Sequence, residues 1–174
     1  KFVKELNLQN EDLLKQNELI CKSIKLVSSA KVPLPKNENS NFKIFKSYIG
    51  SDKHVAIIVN PKKINKKSVN LRIHSACFTG DIFHSLKCDC GEQLNQSINY
   101  MVRNNGGIIL YLEQEGRGIG LANKMRAYSL QARGMDTIDA DHNIGFLDDE
   151  RDFNIAARIP VSYTHLTLPT TSCV

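Results

Sequence analysis

The fold is decided by one stretch, residues 94–112, which reads LNQSINYMVRNNGGIILYL. Its first part carries apolar side chains at positions i, i+4, i+7 and i+8, the spacing of a helix that packs one face on a sheet: Leu94, Ile98, Met101 and Val102. Gly106 and Gly107 end that helix, and the apolar run Ile108–Leu112 has the length of a buried strand. A helix followed at once by a buried strand predicts an α/β fold, with helices packed on a sheet.

Upstream of this stretch, residues 24–74 contain short β-type runs instead of helical spacing. The runs are Ile24–Val27, Phe42–Tyr48, Val55–Val59 and Val69–Ile73. Prolines and asparagines separate them, as at Asn60-Pro61, and this alternation of strands and turns predicts an antiparallel meander. The fold class we expect is therefore α/β, with a mixed sheet, packed helices and a β-rich N-terminal part.

Downstream of the buried strand, a second helix is expected to begin near Gly120. Its apolar face is predicted from side chains at helical spacing: Leu121, Met125, Tyr128 and Ala132. Strand, glycine-rich turn and helix would then follow one another without a long loop between them.

Both ends of the chain differ from this predicted domain at residues 24–159. Residues 1–23 carry leucines at imperfect helical spacing and are expected to form an N-terminal helical extension. Residues 160–174 contain no Lys, Arg, Asp or Glu, although 24% of the whole chain is charged. We therefore interpret residues 160–174 as an artefact foreign to the native protein, and expect the domain to be incomplete at its C-terminus.

Composition limits the class of protein. A chain of 174 residues with 41% hydrophobic content can bury one core. No apolar run reaches the roughly 18 residues of a membrane span, and the first residues lack a signal-peptide pattern, so we expect a cytoplasmic protein without a membrane partner. The formal net charge of +5 comes from lysines interspersed with asparagines in the N-terminal half. That mixture is typical of a solvated face, so no nucleic-acid partner is expected.

The densest chemical signal is a cluster of cysteines, Cys77, Cys88 and Cys90. An odd total of five cysteines, three of them clustered, is typical of metal binding in a reducing compartment and not of a disulfide framework. Three thiolates suit Zn²⁺, which prefers four tetrahedral positions, so a catalytic site would keep its fourth position for water. His74 and His84 are close enough in sequence to close a structural site instead, and the spacing does not choose between the two.

A second signal is the glycine-rich stretch Glu113–Gly120, which follows the predicted strand. A strand, a glycine-rich turn and a helix place backbone N–H groups where they can bind an anion. Arg117 would then pair with phosphate, and Glu115 would accept from the amino group and ring N–H of a guanine. A tight turn with solvated charges is the alternative. The acidic stretch Asp148–Phe153 also has both a functional and a structural interpretation, because acidic residues before a helix serve as caps.

These signals belong to consecutive blocks that resemble the GTP cyclohydrolase II family in sequence, order and spacing. The blocks are RIHSACFTGD (72–81), SLKCDCGEQL (85–94), QEGRGIG (114–120) and NKMRAY (123–128), followed by Asp136-Thr137 and DERDF (149–153). The likeness runs without a gap from about residue 54 to residue 159, and more weakly from residue 24. It implies the fold of that family and zinc-dependent hydrolysis of GTP, which opens the imidazole ring at C8 and releases formate and diphosphate in the first step of riboflavin biosynthesis.

The resemblance also implies binding roles for individual residues. Cys77, Cys88 and Cys90 take the places of the zinc ligands. The places that contact GTP are those of Arg72, Ile73, His74, Ser75, Ala76, Gln93, Glu115, Gly116, Arg117 and Thr137. Mg²⁺ is expected with the triphosphate, and the expected partners are GTP and a second copy of the chain in a homodimer.

Three further residues take catalytic places in the resemblance. Tyr128 stands where the family has an active-site tyrosine, and Asp149 stands at its proposed proton acceptor. Arg151 stands at the proposed nucleophile toward the α-phosphorus. Because a guanidinium is a permanent cation, stabilisation of charge on the phosphate is the physical alternative for Arg151.

The chain departs from the family pattern at two places. Ala76 stands where glutamate is commoner, so one contact to GTP is missing or replaced. Residues 160–174 do not resemble the segment that completes the nucleotide site of the family, so we expect this truncated chain to be inactive. Two other functions stay open: a relative with the same zinc core that stops at the formyl intermediate or acts on another purine, and a zinc-stabilised nucleic-acid-binding module.

Overall fold

A computed structural model of the chain describes residues 24–47, 53–65, 68–153, 156 and 159. The predicted extension at residues 1–23 and the stretch 160–174 lie outside these described residues. Within the described ranges, five strands form one sheet: β1 (Ile24–Lys31), β2 (Ser40–Ser47), β3 (Lys53–Val59), β4 (Leu71–Ser75) and β5 (Gly107–Leu112). The α-helices of the described part confirm the predicted α/β class: α1 (Cys90–Arg103), α2 (Leu121–Gln131) and α3 (Thr137–Asn143). Among the described residues, no helix has the length and apolar character needed to cross a membrane.

The sheet is mixed, with the strand order β1-β2-β3-β5-β4. Strands β1, β2 and β3 form the antiparallel meander that the sequence predicts, and β5 pairs antiparallel with β3. The sequence also predicts that the fourth run continues the meander, and that prediction is wrong, because β4 pairs parallel with β5, with Ile73 opposite Leu110. The reason is the helix α1, which lies between β4 and β5 in the chain and supplies the crossover that parallel neighbours need.

In the part of the chain that the structure describes, two apolar clusters cover the two faces of the sheet. Because side chains alternate along a strand, β5 buries Ile109 on one face and Leu110 on the other, both completely. The first face is covered by the apolar side chains of α1 that the helical spacing predicts: Leu94, Ile98, Met101 and Val102. On the second face, Ala156 and Ile159 belong to the cluster. The predicted buried strand is therefore the centre of the core.

The helix α2 begins at Leu121, as expected, but it buries a different face from the one predicted. Leu121 and Met125 are exposed, whereas Lys124 and Ala127 are buried. The predicted apolar face of this helix is therefore wrong. The physical reason is that α2 packs mainly on α3 and on the turn Glu115–Gly118, and not on the apolar sheet. The polar partners of Lys124 determine which face of α2 is buried.

Candidate functional site

The side chains that can bind a ligand or take part in a reaction lie together at the end of the sheet where β4 and β5 both finish. A cavity of about 340 Å³ lies there, between β4, the loop of residues 77–90 that carries the three cysteines (the cysteine loop), a 3₁₀ turn at Glu115–Gly118 and the helices α2 and α3. Its walls include most of the residues that the sequence singles out: Ser75, Ala76, Cys77, Cys88, Cys90, Glu115, Gly116, Arg117, Tyr128, Thr137 and Arg151. Parallel strands bring their carboxyl ends to one edge of a sheet, so loops that are distant in sequence meet in this cavity.

The three cysteine sulfurs converge on one point of the cavity wall. Their Sγ atoms all lie within 4.8 Å of one another, and those of Cys77 and Cys88 are 3.5 Å apart. Sulfur ligands of a tetrahedral zinc ion, with Zn–S bonds of about 2.3 Å, stand roughly 3.8 Å apart, so this donor set fits zinc. Gly80 leaves room for it, because a Cβ there would lie 2.9 Å from the Cys88 sulfur and 3.1 Å from the Cys77 sulfur. All three cysteines are free thiols.

The thiols of the cluster differ in acidity. Burial, together with the neighbouring sulfurs of Cys88 and Cys77, raises the pKa of Cys90 to about 12. Burial also acts to raise the pKa of Cys77, but hydrogen bonds from Lys124 and from the backbone of Gly80 outweigh it, so this pKa lies below its usual value. Because a metal ion binds thiolates, a metal ion held by this cluster would have to displace protons from the less acidic thiols.

His74 is buried and pairs with a carboxylate instead of joining the sulfurs. Its Nε2 lies 3.1 Å from Asp81 Oδ1, and its ring stacks on Tyr111 with the centroids 5.6 Å apart. Asp81 also accepts from the Tyr111 hydroxyl at 2.8 Å and from the Cys77 backbone N–H at 3.0 Å. Within the described ranges, neither His74, His84 nor any carboxylate completes the cysteine cluster as a fourth ligand. Of the two histidines considered as a fourth ligand, His74 therefore has Asp81 as its partner.

The turn Glu115–Gly118 contains left-handed backbone conformations. Gly116 has a φ of 62° and Arg117 a φ of 59°, which a residue with a side chain adopts only when its surroundings hold it there. Gly118 follows at a φ of 95°, and a Cβ there would lie 2.7 Å from the backbone of Glu150. The Glu150 N–H donates to the Arg117 carbonyl at 2.9 Å. The glycine-rich turn and the acidic stretch Asp148–Phe153 are thus held together, with about half of the Arg117 side chain exposed.

Lys124 joins the cysteine loop to the glycine-rich turn. Its Nζ donates to Glu115 Oε1 at 2.7 Å, to Cys77 Sγ at 3.1 Å and to Thr79 Oγ1 at 3.1 Å. The other oxygen of Glu115, Oε2, accepts from the Phe78 backbone N–H at 2.6 Å. Burial acts to lower the pKa of Lys124, but its hydrogen bonds to Glu115 and Cys77 outweigh burial and raise the pKa above its usual value. The buried ammonium therefore stays charged.

Tyr128 lies on the cavity wall with two lysines near its ring. The Nζ atoms of Lys87 and Lys124 lie 5.6 Å and 5.5 Å from the ring centroid, within the range of a cation–π contact. Burial raises the pKa of the Tyr128 hydroxyl. The phenol therefore keeps its proton at neutral pH and can donate it.

Asp149 and Arg151 form an ion pair beside the cavity. The Arg151 Nε lies 2.8 Å from Asp149 Oδ1, its Nη2 contacts Oδ2, and its guanidinium lies over the Phe153 ring at 5.0 Å. Hydrogen bonds from Arg151 hold the pKa of Asp149 below its usual range, and the carboxylate in turn raises the pKa of Arg151. Arg151 lines the cavity, so a cation with an ionised carboxylate at its side faces the cavity.

Four of the expected substrate residues do not line this cavity. Arg72 and Gln93 line a second cavity of about 420 Å³ along β4 and α1, where Arg72 Nη2 donates to Gln93 Oε1 at 2.6 Å. In the described part of the chain, the buried Nε of Arg72 has no hydrogen-bond partner. Ile73 is exposed on β4, and His74 is buried against Asp81. The structure thus brings most of the predicted substrate residues together, but not these four.

Sequence reasoning missed two residues of the site, Asp81 and Lys124. The Asp81 side chain is 4% exposed and Lys124 is 7% exposed. Both stand inside the blocks quoted from the sequence, but a charged side chain is expected at the surface unless a partner is known. Their burial follows from partners in other parts of the chain, and no local pattern reports those.

Known proteins resemble this chain over most of its length. Residues 25–162 match the family model described as GTP cyclohydrolase II. The GTP cyclohydrolase-2 of Aliivibrio salmonicida (strain LFI1238) is 49% identical over 134 residues, which cover 75% of this chain and 67% of that protein. The GTP cyclohydrolase-2 of Azospirillum brasilense is 46% identical over 80% of this chain and 36% of its own length. The riboflavin biosynthesis protein RibBA of Endomicrobium trichonymphae is 48% identical over 67% of this chain and 28% of its own length. The matched part thus spans about two thirds of the first relative and about a third of the other two.

Proposed function

Since this chain belongs to the GTP cyclohydrolase II family, we propose that it serves the hydrolysis of GTP that opens the imidazole ring at C8 and releases formate and diphosphate, the first step of riboflavin biosynthesis. One observation carries the proposal. Three free cysteine sulfurs converge on the wall of a cavity that also contains the Glu115–Gly118 turn and Tyr128. Hydrolysis of a purine ring needs a metal, an acceptor for the base and a proton donor within one cavity, and these residues supply the last two and the ligands for the first.

The metal of this proposal is one zinc ion held by Cys77, Cys88 and Cys90. Zinc bound there supplies a Lewis acid that activates water for attack on the ring carbon. Three protein ligands are the number typical of catalytic zinc sites. Asp81 orients one of these ligands, because its carboxylate accepts a hydrogen bond from the Cys77 backbone N–H and so fixes the backbone of that cysteine.

Substrate recognition divides between an anion for the base and cations for the phosphates. Each carboxylate oxygen of Glu115 keeps a lone pair beyond its bond to Lys124 or Phe78, so Glu115 accepts from the amino group and ring N–H of guanine. Arg117 and Arg151 are cations of the same cavity wall. They pair with the triphosphate, and Mg²⁺ accompanies it as a counter-ion.

Tyr128, Asp149 and Arg151 supply the remaining chemistry. Tyr128 keeps its proton and donates it in the ring-opening step. Asp149 is kept ionised by Arg151 and accepts a proton. The same pairing raises the pKa of Arg151, so the guanidinium stays a cation. This favours stabilisation of charge at the α-phosphate over nucleophilic attack as the role of Arg151.

A homodimer is part of the proposal. The loop between Cys77 and Cys88 exposes large apolar side chains: Phe78, Ile82, Phe83 and Leu86. Grouped apolar side chains at the surface are more typical of an interface than of a solvated loop. Sedimentation of the purified protein at several concentrations tests this part separately from the reaction.

The reaction is tested with GTP labelled with ¹³C at C8, whose products are followed by NMR and mass spectrometry. Because we interpret residues 160–174 as foreign, the assay compares the 174-residue chain with a chimera. In the chimera, residues 160–174 are replaced by the corresponding segment of the A. salmonicida relative. We expect the zinc-loaded chimera to release labelled formate and diphosphate, and the 174-residue chain to release neither.

The control is the same chimera with Cys88→Ser and Cys90→Ser, which should fold without zinc and release no formate. A zinc-loaded chimera that binds GTP and releases no formate contradicts the proposed reaction. A labelled formyl product that accumulates would instead identify a relative that stops after ring opening. Formate released by the 174-residue chain itself would show that residues 160–174 do not impair the site.

A further inference from the structure

Lys124 is a buried cation with three polar hydrogen-bond acceptors around its ammonium group. The residue is 7% exposed, and its Nζ reaches Glu115 Oε1 at 2.7 Å, Cys77 Sγ at 3.1 Å and Thr79 Oγ1 at 3.1 Å. An ammonium has three donors, so each acceptor takes one. Burial of a charge is unfavourable unless its hydrogen bonds are all made. The position of the ammonium is therefore fixed by these three partners.

The positive charge of Lys124 offsets the net negative charge that the proposed zinc site would carry. Three thiolates carry three negative charges and zinc carries two positive ones, so such a centre keeps one negative charge. The Glu115 carboxylate is a second negative charge nearby, and like charges repel strongly where water is partly excluded. The ammonium lies between the two, 2.7 Å from the carboxylate and 3.1 Å from the Cys77 sulfur.

The geometry points to Lys124 as a positioning residue, which holds the Cys77 sulfur and the Glu115 carboxylate at a fixed separation and offsets the negative charge of the metal centre. This inference rests on the proposed zinc site and gives a role to a residue that neither the spacing nor the family resemblance assigned. It also fits the substrate class. In guanine the carbon that reacts and the edge that Glu115 recognises lie at opposite ends of one rigid ring system. A rigid link through Lys124 fixes the separation between the Cys77 sulfur and the Glu115 carboxylate.

Zinc affinity tests this role without any turnover. The 174-residue chain is stripped of metal and titrated with zinc against a chromophoric chelator at fixed pH. In Lys124→Met, an unbranched apolar side chain keeps the buried position filled and the charge is lost. We expect zinc binding to weaken about tenfold or more, the range typical of residues that support metal ligands. The matched control is Arg126→Met, which removes a cation from the exposed face of the same helix and should change the affinity by no more than about twofold.

A second substitution separates charge from packing. In Lys124→Met, the Glu115 carboxylate is left without its cation and faces the anionic metal centre. Adding Glu115→Gln removes that repulsion, so the double variant should bind zinc more tightly than Lys124→Met alone and should have a higher Tm. If Lys124→Met does not fold, the double variant is compared with Glu115→Gln, and we expect it to bind zinc about tenfold more weakly.

The outcomes are distinct. Zinc affinity of Lys124→Met within about twofold of the wild type, or losses that simply add in the double variant, would overturn the inference and leave Lys124 a packing role. Equal zinc affinities of Glu115→Gln and the double variant would overturn it too. A wild-type chain that binds no zinc contradicts the proposed function instead, because the wild type is measured before any variant.

Discussion

The centre of the sheet and the cavity at its end bury side chains for opposite reasons. In the centre, Ile58, Ile109 and Leu110 are completely buried among other apolar side chains. Each such side chain contributes roughly 1.5–3 kcal/mol by leaving water, whichever apolar neighbour it meets. At the cavity, Asp81 and Lys124 are buried as charged or polar groups, and each is tolerable only with its own partners. In the core, any apolar neighbour therefore makes burial favourable, whereas at the site each buried polar side chain needs its particular partners.

This difference indicates that stability and chemistry are largely separable in this protein. The apolar strands hold the surrounding loops and helices in place, while these loops and the helices α1 and α2 carry the polar pairs and the sulfur cluster. A substitution in the core should lower the free energy of unfolding and leave the metal-binding cysteines of the folded protein in place. A change at the site should alter zinc binding or turnover with a smaller effect on stability.

The largest effect on stability is expected from the core. Leu110→Ala should lower the free energy of unfolding by about 2–5 kcal/mol, because it leaves a cavity at a completely buried position. The matched control is Leu71→Ala on β4, where the leucine is 37% exposed and the loss should be about 1 kcal/mol or less. Urea denaturation measures both. Folded Leu110→Ala protein should still bind zinc, and a loss of zinc binding would contradict the separation of core and site.

A smaller effect on stability, with a clear effect on zinc, is expected from Gly91→Ala at the start of α1. A Cβ at Gly91 would lie 2.2 Å from the carbonyl oxygen of Gly80, so the backbone of the cysteine loop must move. We expect a loss of about 1–3 kcal/mol and weaker zinc binding, since Gly80 also lies against the Cys88 sulfur. Asn95→Ala, exposed on the same helix, should leave both properties nearly unchanged. Wild-type zinc affinity in Gly91→Ala would show that the packing of this loop does not set the metal site.

Tyr128→Phe should affect chemistry alone. The ring keeps its place on the cavity wall, so zinc content and Tm should match those of the parent chimera. Turnover should fall roughly tenfold, about 1.4 kcal/mol in activation free energy, because the hydroxyl proton is lost. Unchanged turnover would leave Tyr128 a packing residue and remove it from the mechanism.

A small, pH-dependent effect on stability is expected from Asp149→Asn. Its ion pair with Arg151 is partly exposed to solvent, and exposed pairs contribute about 0.2–1 kcal/mol. Because Arg151 lowers the pKa of Asp149 in the folded state, this contribution is present above the unfolded pKa of about 3.9. It is lost as the pH falls through the lower, folded pKa. Thermal unfolding should therefore show a small difference between wild type and variant at neutral pH that vanishes in acid. A difference that grows on acidification would contradict the pairing.

The predictable parts of the fold are those whose signal is local. The helix over residues 94–102 and the strand over residues 108–112 follow from side-chain spacing. The short spacing of the three cysteines also predicted that they form one cluster. The pairing of β4 was not predictable in this way, because its neighbour β5 comes only after α1 in the chain. Lys124 was not predictable either, since its partner Cys77 is 47 residues away and a lysine without a known partner is expected in solvent.

The metal content of the purified chain tests the central claim most directly, that Cys77, Cys88 and Cys90 form a zinc site. After extensive dialysis, mass spectrometry of the metals should find about one zinc ion per wild-type chain. The Cys88→Ser/Cys90→Ser variant keeps a single thiolate of the cluster and should contain almost no zinc. Equal zinc in the variant and the wild type would contradict the site, and with it the chemistry derived from it.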